Sequence, residues 1–386
     1  MNAIWDADAL RRFPDVEAAN LHAVDAADRL LLDEAAGALS LLGPGELVVV
    51  GDHYGGLALA AAALHGLRGI RVHQDPLSGE LALSANAEAL GLSGSYRSAD
   101  LDGELFSGAR LVLMQLPRGL AALEEIVELI ALTAEPSVVV YAGGRIKHMT
   151  PAMNDVLSRH FVRVDVSLAR QKSRVLRAGE LRRSVVRSPV QGRQLDPVWP
   201  RVQFHSDIGM YVAAHGDAFA GTSVDIGTRF LLQHLDDASP EAETAIDLGC
   251  GTGILGTALA MRRPAIRVIA SDQSAAAVAS TLATVRANEV NDRVSVVRDD
   301  ALGAQASSSA EFIVLNPPFH LGPAVHAGIA LKLFEDVGRV LAPEGELWCV
   351  WNSHLAYVPV LERLIGSTRQ IARNSKFTIT ASRRRG

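Results

Sequence analysis

Cysteine is nearly absent. The 386 residues hold two, Cys250 and Cys349, which excludes a disulfide framework, and no Cys/His spacing of the metal-binding kind occurs. No metal is expected. Long apolar runs are missing too. The best Ala/Leu stretch, "GLALAAAALHGL", is too short to cross a bilayer. The opening "MNAIWDADALRRF" is acidic and lacks the apolar segment of a secretory signal. The expectation is therefore a cytoplasmic protein with no membrane partner, and we expect a monomer. What is present, 48% apolar and 21% charged residues, is the composition of a soluble globular chain. Its length suits two domains of roughly 190 residues each.

Positive charge is short in the first 150 residues, which hold 10 Lys and Arg against 20 Asp and Glu. It is then concentrated in residues 151–200, with 10 against 4. A segment this basic points to a polyanion, and Arg170, Lys172, Arg174 and Arg177 are its candidate RNA contacts. The plain alternative is a solvated charged face.

From about Glu243 the pattern alternates. Thr244–Leu248, Arg267–Ser271, Val294–Arg298, Phe312–Leu315 and Leu347–Trp351 read as strands. Ile254–Arg262, Ser274–Glu289 and Ala324–Leu341 read as helices, the last ended by "APEGE". Apolar strands separated by helices predict an α/β fold with a mostly parallel sheet covered on both faces. The segment "QIARNSKFTITASRRR" predicts an antiparallel hairpin at the sheet edge, turning at Asn374-Ser375. The first half repeats the rhythm: "GELVVVGDHYGGLALAAAAL" parallels "ETAIDLGCGTGILGTALA", and "ARLVLMQLPRG" parallels "EFIVLNPPFHLG". An internal duplication results, with domains at 1–190 and 198–386 joined by a Pro- and Arg-rich linker.

The chemistry lies in the second copy. "AIDLGCGTG" sets Asp247 at a strand end, followed by Gly249, Gly251 and Gly253. Glycines there allow a tight turn and close approach of a ligand to the backbone. The spacing differs from the dinucleotide fingerprint and fits an S-adenosylmethionine loop; on its own it is equally a strand–helix turn. Asp272, ending the next strand, is placed to accept ribose hydroxyls, or else to cap the following helix. Asp300 is placed to accept from an adenine amine, with Asp299 a neighbouring competitor. The fourth strand ends on Asn316-Pro317-Pro318-Phe319. The Asn316 side-chain oxygen and the Pro317 carbonyl can accept the two N–H groups of a nucleobase amine. That arrangement aims its lone pair at a sulfonium methyl with no strong base. Phe319 can stack on the target base. Cys250, inside the loop, reads as a small filler, and Trp348 and Trp351 as packing residues.

These motifs resemble class I S-adenosylmethionine-dependent methyltransferases with an N-P-P-[FY] amine site. Closer still, the chain resembles the ribosomal RNA guanine-N2 methyltransferases of the RsmC/RlmG type, nearer the large-subunit branch. The segments that carry this are "SVDIGTRFLLQHL", "NPPFH", "WNSHLAY" and "NSKF", with "RFPDVEAANLHAVDAADRLLL" extending it into the first half. The resemblance implies two tandem Rossmann-like methyltransferase domains, the first degenerate and the second catalytic. It implies S-adenosylmethionine as cofactor and ribosomal RNA or a ribosomal subunit as partner, 23S over 16S. It also implies that Asp225 and Gly227 help enclose the cofactor. One departure stands out: where the family has F-S-R-x-G, this chain has Phe219-Ala220-Gly221-Thr222-Ser223. In the first copy Val49, His53 and Gln115-Leu116 replace Asp247, Gly251 and Asn316-Pro317, so that copy is expected not to catalyse. The same amine site serves adenine-N6 and protein glutamine methylation. A non-enzymatic RNA-binding assembly factor is the remaining alternative.

Overall fold

The computed structural model describes residues 5–18, 20–182, 198–317 and 323–385, without the side chains of 323–327. The predicted linker falls mostly outside the described residues. The chain divides into two compact units, Met1–Trp199 and Pro200–Gly386.

The first unit carries strands β1 (Leu47–Val50), β2 (Ile70–His73), β3 (Tyr96–Ser98), β4 (Leu111–Gln115), β5 (Val139–Arg145), β6 (Phe161–Val166) and β7 (Ser173–Leu181). Its helices are α1 (Ala26–Leu39), α2 (Ala58–His65), α3 (Leu77–Ala89), α4 (Gly103–Phe106), α5 (Leu120–Thr133) and α6 (Pro151–His160). The second unit opens with a hairpin of β8 (Arg201–His205) and β9 (Met210–Ala214). Then come α7 (Ile226–Leu232), β10 (Thr244–Leu248), α8 (Ile254–Arg262), β11 (Arg267–Asp272), α9 (Ala275–Ala287), β12 (Val294–Arg298) and β13 (Ala310–Leu315). It closes with α10 (Pro323–Val340), β14 (Leu341–Asn352), α11 (Val358–Leu364), β15 (Thr368–Arg373) and β16 (Phe377–Arg383).

The two sheets have the same strand order, β3-β2-β1-β4-β5-β7-β6 and β12-β11-β10-β13-β14-β16-β15. In each, five strands pair in parallel and the last two are joined by antiparallel pairings, so that only β7 and β16 run against the rest. The tandem α/β architecture read from the sequence is therefore present, and the antiparallel pair belongs to both copies.

Strand side chains alternate between faces, so each strand feeds two cores. Ala245, Val268, Phe312, Val314 and Trp348 pack on one face of the second sheet. Ile246, Leu248, Ile313, Leu315 and Cys349 pack on the other. Trp348 and Trp351 are both buried. The helix ends before "APEGE" as expected, but the strand expected at Leu347–Trp351 begins earlier, at Leu341. The "APEGE" stretch is part of β14, with Leu341 paired to Ala310 and a register shift before Phe312. Gly345 makes the bulge possible: a Cβ there would lie 3.0 Å from the carbonyl oxygens of Ala310, Ala342 and Glu311.

Candidate active site

Strand order reverses at β10, whose neighbours β11 and β13 lie on opposite sides. In α/β sheets the loops leaving such strands diverge, and ligands bind in the crevice beyond their carboxyl ends. The glycine loop borders it. Gly249, Gly251 and Gly253 have φ of 66°, 57° and 75°, values that favour glycine. A Cβ on Gly249 or Gly251 would meet nothing within 4 Å, whereas one on Gly253 would come within 2.6 Å of Thr281 Cγ2. The first two leave room for a ligand on the backbone, and the third lets α8 seat against α9. Thr281 Oγ1 also donates to the Gly251 carbonyl at 3.0 Å and lies 3.3 Å from Cys250 Sγ. Burial pushes the Cys250 thiol well above its ordinary range, so it behaves as a filler and not as a nucleophile.

The acids divide the work. Asp247 is buried and accepts from the Gly256 N–H at 2.8 Å, bracing the start of α8 from beneath. Burial lifts its pKa to about 7, with nearby Asp272 adding to the rise and the Gly256 bond opposing it. Asp272 is partly exposed. Its Oδ2 accepts from Gly251 N and its Oδ1 from Ser274 N, both at 3.0 Å. The cap of α9 is Ser274, which accepts from Ala277 N at 3.1 Å. Asp272 is thus held against the loop through both carboxylate oxygens. At the end of β12, Asp299 is buried and takes the Ala304 N–H at 2.9 Å. Asp300 is partly exposed and pairs with Lys332 of α10. Asp299 is the turn former and Asp300 the accessible acid.

Asn316 follows β13. Its Nδ2 donates to Thr228 Oγ1 at 2.9 Å and to Asp225 Oδ2 at 3.2 Å. The same Asp225 oxygen caps α7, accepting from Gly227 N at 2.8 Å and Thr228 N at 3.2 Å. An ionised carboxylate accepts only, so the amide nitrogen must face it and the oxygen must face away. That oxygen, Oδ1, is buried with no hydrogen-bond partner. Gly227 lets the helix end come this close: a Cβ there would stand 3.4 Å from Asn316 Oδ1, 3.3 Å from the Phe377 ring and 3.0 Å from Asp225 Oδ2. Pro317 is buried beside it. Pro318 and Phe319 lie outside the described residues.

The structure therefore gathers Asp225, Gly227 and Asn316 into one cluster, and the glycine loop, Asp247 and Asp272 into another. Thr228 and Phe377 join the first without having been singled out as site residues. A signal for Thr228 exists: Val224-Asp225-Ile226-Gly227-Thr228-Arg229 aligns without gaps on Val24-Asp25-Ala26-Ala27-Asp28-Arg29. The departure at Ala220-Gly221 is conformational as well, since both residues have positive φ, 61° and 56°. An arginine at the second position would be strained.

The basic segment is less free than its composition implies. Arg170 pairs with Asp33, and Arg177 lies 3.5 Å from Asp165 and 3.2 Å from the Tyr141 hydroxyl. Lys172 and Arg174 are exposed, with no ion-pair partner among the described residues. They meet cations from elsewhere: Gly144 pairs with Arg174 across β5 and β7, and Ile146 N donates to the Lys172 carbonyl at 2.9 Å. Arg118, Arg145, Lys147 and His148 are exposed at the same carboxyl end of β4 and β5. Burial and then the charges of Arg118, Lys147 and Arg145 hold the His148 imidazole below its ordinary pKa.

Fold and crevice define a duplicated α/β methyltransferase, and comparison with known proteins agrees. Residues 209–381 match the family described as methyltransferase small domain, and residues 2–182 match the RLMG N-terminal domain. A ribosomal RNA large subunit methyltransferase G of Streptomyces avermitilis is 34% identical over 98% of this chain and 97% of its own length. The namesake from Pseudomonas paraeruginosa is 35% identical over 96% of each. Among solved structures, RsmC of T. thermophilus, described as a 16S rRNA N2 G1207 methyltransferase in complex with AdoMet and guanosine, superposes with a TM-score of 0.73. It is 21% identical and covers 94% of this chain and 92% of its own. The chain belongs to the ribosomal RNA large subunit methyltransferase G family. Among the described residues no helix is long and apolar enough to cross a membrane, and no cluster of His, Cys, Asp and Glu would hold a metal.

Proposed function

We propose that this protein methylates the exocyclic N2 amine of a guanine in large-subunit ribosomal RNA. The observation that carries the reading is Asn316 Oδ1, a buried acceptor with no partner, fixed in direction by an acid that cannot donate. Leaving such an atom unsatisfied costs free energy, and an incoming amine would relieve it. The residues also fit the cofactor: open space lies over Gly249 and Gly251, and Asp272 is held beside that loop.

S-adenosylmethionine supplies an electrophilic methyl group. Everything else falls to the chain. Gly249 and Gly251 let the cofactor lie on the backbone, Asp272 takes the ribose hydroxyls, and Asp300 takes the adenine amine. Asp247 holds the α8 terminus in place. Asn316 Oδ1 and the Pro317 carbonyl accept the two N–H groups of the target amine. Its delocalised lone pair is then directed at the methyl group, and orientation supplies most of the rate. Neither acceptor is a base, so the proton released after transfer goes to water.

In the first unit, Arg118, Arg145, Lys147, Lys172 and Arg174 form a docking face for RNA phosphates, which positions RNA without reading its bases. Mass-spectrometric mapping of methylated nucleosides in ribosomal RNA, from cells with and without the gene, tests the whole reading. A single guanine losing its N2 methyl in 23S RNA is the expected result. An unchanged guanine pattern with a lost N6-methyladenine would replace guanine by adenine as the substrate.

A further inference from the structure

We infer that Thr228, together with Asp225, is a positioning residue that locks the Asn316 amide in its productive orientation. The inference rests on the reading that Asn316 receives the substrate amine. A side-chain amide has two nearly isosteric orientations, related by a half-turn about its last torsion. In one, Oδ1 meets the amine N–H. In the other, an NH2 group opposes it and no hydrogen bond forms. Nothing in asparagine itself selects between them.

The selection is made by the start of α7. Both hydrogens of Nδ2 are occupied, one by Thr228 Oγ1 at 2.9 Å and one by Asp225 Oδ2 at 3.2 Å. A half-turn would set the amide oxygen against a carboxylate that accepts only. It would also strand Nδ2 in the buried position Oδ1 now holds. Thr228 is buried, so water does not substitute for it. Asp225 does double duty as helix cap, which fixes its carboxylate relative to Thr228.

The first unit supplies an independent observation. Gln115 occupies the register of Asn316, and Asp28 that of Thr228. Gln115 Nε2 donates to Asp28 Oδ1, while Asp25 caps α1 through the N–H groups of Ala27 and Asp28. The same clamp, from helix terminus to strand-end amide, is built twice. In the second copy the amide oxygen, Asn316 Oδ1, is buried without a hydrogen-bond partner.

The test compares Thr228→Val, Thr228→Ser and Asp225→Asn in the full chain, using ribosomal RNA from cells lacking the gene. Thr228→Val keeps shape and removes the acceptor. Asp225→Asn keeps a good helix cap but removes the strictly accepting group. The clamp predicts that kcat falls roughly tenfold or more in both, about the effect of one lost hydrogen bond in the transition state. In Thr228→Val, KM for RNA, calorimetric affinity for S-adenosylmethionine and melting temperature should stay near wild type. Thr228→Ser should restore kcat to within a few-fold. Unchanged kcat in Thr228→Val overturns the inference. So does a parallel loss of cofactor affinity, which would make Thr228 part of the cofactor pocket. The same digests keep the two readings apart: the nucleoside methylated by wild type tests the substrate, and the variant-to-wild-type ratio tests the clamp.

Discussion

The two units share a strand order but differ at the carboxyl ends of the same strands, and the differences show how a site is lost while a fold is kept. The register of β1 against β4 sets Val49 where β10 has Asp247. The acid has not vanished; it has moved three residues along. Asp52 accepts from Leu57 N at 2.6 Å and Ala58 N at 3.0 Å, bracing α2 as Asp247 braces α8. Burial lifts the Asp52 pKa to about 6. The loop backbone survives as well, with φ of 73°, 56° and 97° at Gly51, His53 and Gly55. The middle position now carries a side chain, over the backbone that Gly251 leaves bare. Gln74 stands in the register of Asp272 and donates to the Gly79 carbonyl of α3 at 3.3 Å. Packing and helix support are retained; room and ligand acceptors are gone.

The largest effect that would sharpen this contrast is expected at Asn316. Replacing it with Ala should lower kcat about a hundredfold or more, with cofactor affinity nearly intact, as read by steady-state kinetics beside calorimetry. Next is Asp272→Ala, which should weaken S-adenosylmethionine binding roughly tenfold to a hundredfold. If these two variants gave one kinetic signature, the division between amine site and cofactor site would collapse. Calorimetry on the full chain should find one cofactor per chain, and a second site of similar affinity would break the comparison outright. A smaller effect belongs to the docking face. Neutralising Arg145, Lys147, Lys172 and Arg174 together should raise KM for RNA and reduce the slope of log affinity against log salt by about three. S-adenosylmethionine binding should be unchanged.

The smallest effect concerns pH. Asp28 is buried, and burial, with Asp25 adding to it, lifts its pKa to about 8. The folded state therefore holds a proton that the unfolded chain releases near pH 4. Its stabilising contribution is full below that pH and is lost as pH rises toward 8. In Asp28→Asn the fall in melting temperature between pH 5 and pH 8 should shrink, and an unchanged fall would show that Asp28 is ionised in the fold.

Much of this was legible in sequence, for identifiable reasons. Strands such as Thr244–Leu248 and Val294–Arg298 are short apolar runs bounded by turn residues, and their limits match those expected. The loop glycines and Asp272 announce themselves by spacing. The clamp does not, because Asn316 and Thr228 are 88 residues apart and meet only once α7 is laid over the ends of the parallel strands. The cation cluster was half legible. Composition found Lys172 and Arg174, but it could not foresee that Arg170 and Arg177 would be drawn into ion pairs. Nor could it foresee that strand pairing would bring Arg145 alongside.

In both sheets the last strand in sequence lies second from the edge: β7 sits between β5 and β6, and β16 between β14 and β15. A ribosome makes these elements in chain order. β14, with its buried Leu347–Trp351 stretch, emerges long before β16 is available to pair with it. During that interval an apolar strand presents one open row of N–H and C=O groups, the geometry that recruits other chains. Phe377, which closes over Gly227 beside the amine site, comes at the head of the same late strand. Nascent chains thus carry the glycine loop, Asp272 and Asn316 before Phe377 can join them, and each of the two domains passes once through a window of exposure to aggregation.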